Sequence, residues 1–180
     1  MASLPPLSSL SSLDAEDRAQ VLDLLFEPCT QLHTLSVSVL ADQDFSSYSD
    51  LVDAVGKQLQ DLQQSNLESD HKWLDAILSA HPRLGGKDKV DSEQSRQEQA
   101  QLNQGGSEEA EQLAELNRNY EEKFPGLRYV VFVNGRSRSI IMEDMQKRID
   151  RGDLQLEKQE AIQAMVDIAK DRAKKLGTSM

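Results

Sequence analysis

His81 is the residue with the clearest chemical potential, in the stretch Ala80-His81-Pro82-Arg83-Leu84-Gly85. A residue before proline is pushed out of the helical region, so a helix approaching from the N-terminal side must end at Ala80 or His81. The helix dipole would then favour a charged imidazole titrating near neutrality, suited to proton transfer. A capping histidine with no other duty fits the same spacing. Ser95-Arg96-Gln97-Glu98-Gln99 has the form of a capping box, with Ser95 as N-cap and Glu98 at the third helical position. The same residues would also set a carboxylate and an amide beside free backbone N–H groups, where a polar or anionic small molecule can be held. Arg172 lies four residues after Ile168 and four before Leu176, on the apolar stripe of the last helix. A guanidinium there needs a partner, either an internal carboxylate or a bound anion.

Other chemistries lack their residues. His33, His71 and His81 do not have zinc-ligand spacing with Cys29 or with each other, so no metal site is expected. No phosphate-binding glycine loop, nucleophile elbow or dinucleotide fingerprint occurs. With 20 Lys and Arg against 31 Asp and Glu, the net charge of −11 disfavours nucleic acid and anionic membrane surfaces as partners. No apolar run reaches the roughly 20 residues of a membrane span. The single cysteine excludes an intramolecular disulfide and fits a reducing compartment.

The elements that must position these residues read as helices. Leu, Ala, Gln and Glu abound, and 180 residues suffice for one core. Residues 1–13 read as a disordered tail, rich in Ser and Pro. Asp14 caps a first helix to about Phe26, with Val21, Leu22, Leu25 and Phe26 inward. A second starts after Pro28 and turns Leu32, Leu35 and Leu40 inward. A short loop holds Phe45 and Tyr48, and Leu51, Val55, Leu59 and Leu62 mark a third helix. Glu68 to Ala80 forms a fourth, with Trp73, Leu74, Ile77 and Leu78 on one side. Gly85 to Gln94 is a charged loop, and the helix opened by Ser95 must end before Gly105-Gly106. Ser107 caps a helix whose Leu113, Leu116, Tyr120 and Phe124 share a face, stopped by Pro125-Gly126. Tyr129 to Val133 is β-branched and aromatic, yet no second such run exists to pair with it. It is expected as an extended segment packed between helices. Helices from Ser137 to about Ile149 and from beyond Gly152 to about Leu176 complete an all-α fold: one compact domain of about eight helices, with one extended segment near 129–133.

Together these sites resemble one family. Ala80-His81-Pro82-Arg83-Leu84-Gly85 is similar to the His-Pro signature of the OHCU decarboxylases (2-oxo-4-hydroxy-4-carboxy-5-ureidoimidazoline decarboxylases). Ser95-x-x-Glu98-Gln99 resembles their second motif, and Leu116-Asn117-x-x-Tyr120-x-x-Lys123-Phe124 a further stretch. Val130 to Val133 with Gly135-Arg136-Ser137 resembles their extended segment and turn, and Arg172 falls at a late arginine. Phe26-Glu27 also fits. The resemblance runs from about Asp14 to Leu176, making 14–180 an OHCU decarboxylase-like helical domain.

The resemblance implies a cofactor-free carboxy-lyase of purine breakdown, helical and homodimeric, which converts OHCU to S-allantoin and carbon dioxide. His81 would be the catalytic acid/base, and Glu98 would assist proton handling. Ser95 and Gln99 would help hold the ring, Pro82 would line the pocket, and Arg172 would bind an anionic or carbonyl part of the substrate. Backbone groups of Val131, Phe132 and Val133 would complete the site. Relatives are linked to peroxisomes, but Thr178-Ser179-Met180 is not the usual signal, so the cytosol is the expected compartment. The competing readings are a non-catalytic helical module that docks a basic partner on its acidic surface, and a lyase acting on a related ureido compound.

Overall fold

The structure, a computed structural model, describes residues 2–85, 92–100, 102 and 106–177. A short 3-10 helix (Leu7–Ser12) precedes eight α-helices: α1 (Ala15–Leu25), α2 (Thr30–Asp42), α3 (Tyr48–Gln64), α4 (Glu68–Leu78), α5 (Glu93–Ala100), α6 (Ser107–Lys123), α7 (Arg138–Arg151) and α8 (Leu154–Leu176). No strand occurs among the described residues. Residues 129–133 are extended and unpaired, as expected. No described helix is long and apolar enough to cross a membrane.

Local chemistry sets the helix ends. Asp14 accepts the Asp17 N–H at 2.8 Å, Ser47 that of Asp50 at 3.1 Å, and Asp153 that of Leu156 at 3.0 Å, each meeting one of the donors a helix start leaves unpaired. Gly152 closes α7 at φ 64°, a left-handed conformation that costs glycine little.

The long α8 is the spine. Ala161, Ile162, Met165, Ile168 and Ala169 are buried along it, and it packs chiefly on α3. The two approach closely because α3 carries Gly56 at the contact. A Cβ there would lie 2.7 Å from Val166 Cγ2, too near for any side chain. Arg172 sits one turn beyond Ile168 on the same buried stripe.

Four expectations change. Residues 2–13 are not a disordered tail: Leu4 and Leu10 join the core, the Leu4 N–H donates to Gly177 O at 3.1 Å, and the Tyr48 hydroxyl donates to Pro5 O at 2.7 Å. The Ser-Pro composition hid two well-spaced leucines whose burial ties the segment down. Tyr48 accordingly opens α3 instead of ending a loop, while Trp73 is partly exposed. The α5 helix starts at Glu93, two residues earlier than Ser95, so its first turn takes the place of the end of the expected charged loop. The middle of that loop, residues 86–91, lies outside the described residues, as does Gly105 of the expected glycine break.

Candidate active site

The helix before His81 ends at Leu78, two residues short of the expected Ala80, and a turn at 79–80 leads into the His-Pro dipeptide. The loop beyond it is pinned from three sides. Arg128 Nη1 donates to His81 O at 3.3 Å, Asn117 Nδ2 to Leu84 O at 3.0 Å, and Gly85 N to Gln99 Oε1 at 3.2 Å. Arg83 Nε reaches both carboxylate oxygens of Glu121 at 3.0 Å. The imidazole is thereby fixed in a buried position, 6% exposed.

Burial alters its chemistry. His81 is lowered from its ordinary value near 6.5 to about 3, first by loss of hydration and then by the Arg172 charge, with Glu98 opposing. The helix-end imidazolium expected from the sequence is therefore corrected: desolvation outweighs the dipole, and the ring is neutral near pH 7. Its Nε2 is buried with no hydrogen-bond partner. Of the buried side-chain polar atoms without a hydrogen-bond partner among the described residues, it alone belongs to a residue lining the cleft, which points to a group that arrives from outside.

Arg172 is buried among partners from α5 and the end of α1. Its Nε and Nη2 donate to Glu98 Oε1 and Oε2 at 2.8 and 2.9 Å, a side-on bidentate pair. Nη2 also reaches Glu27 Oε1 at 2.8 Å and Ser95 Oγ at 3.0 Å, and Nη1 reaches Leu25 O at 3.4 Å. The Ser95 hydroxyl donates in turn to Glu27 Oε1. Burial works against the guanidinium charge, yet the bonds and charges of Glu98 and Glu27 raise its pKa further. Of the two partner types considered for Arg172, internal carboxylates are present in the protein.

The capping box is also corrected. Ser92 Oγ accepts the Ser95 N–H at 3.1 Å, and Ser92 O that of Arg96 at 3.1 Å. Ser92 therefore does the capping, and Ser95 and Glu98 sit inside α5, one turn apart, facing Arg172. Helical spacing of three explains both a capping box and a shared face, which is why the sequence pattern points to the wrong one.

All nine residues singled out for the site line one cleft of about 810 Å³: His81, Pro82, Ser95, Glu98, Gln99, Val131, Phe132, Val133 and Arg172. That volume suits a small molecule. The extended segment forms one wall. Its Val130 carbonyl accepts from Arg148 Nη1 at 3.2 Å and its Val133 carbonyl from Arg136 Nε at 3.1 Å. No hydrogen bond among the described residues engages the N–H of Val131, Phe132 or Val133. Ala2 lines the cleft as well, brought there by the anchored N-terminal segment. No group of three or more His, Cys, Asp or Glu is placed to hold a metal ion among the described residues.

Sequence reasoning misses several contributors. Glu27 stands out in the chain only beside Phe26, although an acidic residue directly after a buried helix end is the signal of an internal partner. Arg148 acts through the Val130 carbonyl and leaves no pattern in the chain, and the motif that contains Asn117 does not disclose its bond to the Leu84 carbonyl. No curated protein matches this sequence. The profile of one protein family, OHCU decarboxylase, matches residues 11–174 of the 180. The chain therefore belongs to the OHCU decarboxylase family, carboxy-lyases of urate degradation.

Proposed function

We propose that the protein decarboxylates 2-oxo-4-hydroxy-4-carboxy-5-ureidoimidazoline to S-allantoin without a cofactor, with His81 as acid/base. The observation that carries this reading is the buried, unpartnered Nε2 of a neutral His81 on the same cleft as the Arg172–Glu98 pair.

The reaction asks little of the protein beyond placement. The bond from C4 to the carboxylate breaks, and carbon dioxide leaves. The electron pair moves into the C4–C5 bond while the adjacent imine-like nitrogen takes up charge and a proton. The enol so formed loses its hydroxyl proton as C5 is protonated on one face. The substrate is its own electron sink, so pyridoxal or thiamine chemistry is unnecessary. A neutral imidazole has one N–H and one lone pair, so His81 can take the hydroxyl proton and return one to carbon. Glu98 assists that proton traffic. Gln99 and Ser95 hold the ring, and Pro82 packs on it. The open N–H groups of Val131 to Val133 are suited to a developing oxyanion. Arg172 receives the substrate carboxylate. The family resemblance further supports a homodimer.

The test generates OHCU from urate enzymatically and adds the protein at micromolar concentration. A circular dichroism signal of S-allantoin appearing faster than spontaneous decay is the expected result. A trace that matches the enzyme-free control removes the proposal.

A further inference from the structure

Two carboxylates share one guanidinium in this site, and they are not equivalent. The Glu27 side chain is 4% exposed and that of Glu98 is 28% exposed, so only Glu98 can readily be replaced from the cleft. We propose that Glu27 is a positioning residue for Arg172, holding the guanidinium from its buried side so that Glu98 can yield it to a substrate carboxylate. The inference rests on the assignment of Arg172 and Glu98 to the decarboxylation site.

The geometry on the buried side is a closed ring. Arg172 Nη2 donates to Glu27 Oε1 and to Ser95 Oγ, and that hydroxyl donates to the same Glu27 oxygen. Next to it, Nη1 donates to Leu25 O at the end of α1. The end of α1 therefore grips the guanidinium with a carbonyl and, two residues on, with a carboxylate. On the cleft side Glu98 holds the Nε–Nη2 edge in the bidentate form that any carboxylate can copy. Were Glu98 the sole partner, its departure would leave a buried cation unpaired and free to swing. With Glu27 in place, the exchange is carboxylate for carboxylate on an edge already oriented. Pre-set geometry of this kind spares the ordering cost at the moment of binding.

The charge balance gives Glu27 a second consequence. Arg172, Glu27 and Glu98 together carry an excess of one negative charge beside a neutral His81, which disfavours entry of an anion until Glu98 turns away. The remaining ionisable groups on the cleft are Glu93, Tyr129 and the Asp171–Lys175 ion pair.

The first arm reads the Arg172 guanidinium by nitrogen-15 NMR in the full chain without substrate. Separate, slowly exchanging Nη signals are expected in the wild type and in Glu98→Gln, and their collapse in Glu27→Gln. The second arm is kinetic: Glu27→Gln raises KM about tenfold, yet less than about twofold further when Arg172 is already Gln, because contacts acting through one residue are not additive. Glu27→Asp, which keeps the carboxylate, is expected to restore the split Nη signals and part of the KM, and it stands in if Glu27→Gln fails to fold. Split Nη signals in Glu27→Gln, or additive effects in the double variant, overturn the inference. If the wild type proves unable to decarboxylate the substrate, the functional assignment fails while the NMR arm still decides the clamp.

Discussion

Two buried arginines organise this protein, and the contrast between them separates structure from chemistry. Arg148 on α7 lies in a cluster that also takes in the part-exposed carboxylates of Asp144 and Glu160. Its Nε donates to Glu157 Oε1 at 2.7 Å, its Nη2 to the same oxygen, and its Nη1 to Val130 O at 3.2 Å. Tyr120 donates to Glu157 at 2.5 Å, Arg151 approaches from the other side, and the guanidinium lies 4.6 Å from the Tyr129 ring centre. Burial, then the Glu157 carboxylate, pushes the Tyr120 hydroxyl far up, so it remains protonated. Of these groups only Tyr129 and Val130 line the cleft. Arg172 has the same inventory, an arginine with glutamates and a hydroxyl, but its partners Ser95 and Glu98 line the cleft, as does His81, whose Nε2 has no hydrogen-bond partner. An ion cluster whose charged groups stand back from the cleft is scaffolding. The same cluster beside a cavity and an unmet polar atom is a site.

The sharpest break between the two comes from His81→Asn. It removes the proton carrier and keeps a polar side chain of similar reach, so kcat is expected to fall about 10²–10⁴-fold. The thermal midpoint should not fall, because no hydrogen bond of Nε2 is lost. Retained turnover would return His81 to the role of a helix-ending residue.

Arg148→Ala should do the opposite. Glu157 is fully buried, and its removal from Arg148 leaves a carboxylate whose compensation falls to Tyr120 and Arg151. Breaking such a pair costs about 3–5 kcal/mol. Denaturant unfolding measures that loss directly. Among the molecules that remain folded, kcat should change less than it does in His81→Asn, since Arg148 reaches the cleft only indirectly, through the Val130 carbonyl and the Tyr129 ring. A kcat collapse with unchanged stability would show the two clusters to be one machine.

The pH dependence of stability sharpens the same contrast. His81 takes up a proton near 6.5 when unfolded and only near 3 when folded. Between those values the unfolded chain binds more protons, so stability falls as pH falls through the window and is fully present above it. In His81→Asn this part of the acid destabilisation should vanish. Urea titrations of both proteins at pH 7 and pH 4.5 measure it. An identical pH response in the two would mean that His81 is hydrated in the folded state.

Much of this is legible in the chain. Helical periodicity marks α1, α3, α6 and α8, because one face of each must be apolar. The unpaired character of residues 129–133 comes from the lack of a second β-branched run. The placement of Arg172 on the inner stripe is legible too, since spacing of four fixes the face. Depth is the quantity the sequence does not carry. The same His-Pro turn can leave an imidazole in water or bury it, and only packing against Arg128, Asn117 and Gln99 decides. Ser95 and Glu98 read as a cap because the spacing that caps a helix also aligns two residues on one face. Residues 1–13 read as a tail because composition averages over Leu4 and Leu10, the two residues that matter.

The smallest expected effect concerns that corrected cap. The α5 helix has eight residues, with buried Ser95 and Gln99 as its main inward contacts, and a helix this short is not stable through its own hydrogen bonds. Ser92 meets the Ser95 N–H, and losing such a cap costs about 1 kcal/mol. Because α5 makes few contacts, the loss should stay local: Ser92→Ala frays the turn that aims Ser95 and Glu98 at Arg172 while the α3–α8 core is untouched. Hydrogen exchange at the amides of Ser95 and Arg96 should accelerate with little change in the global unfolding midpoint. KM should rise severalfold, and kcat should fall less than in His81→Asn, since the imidazole is held from α6 and the segment at Arg128 as well as from α5. A drop in the global midpoint as large as that of Arg148→Ala would mean that the site helix is part of the scaffold, and the separation between the two arginine clusters would no longer hold.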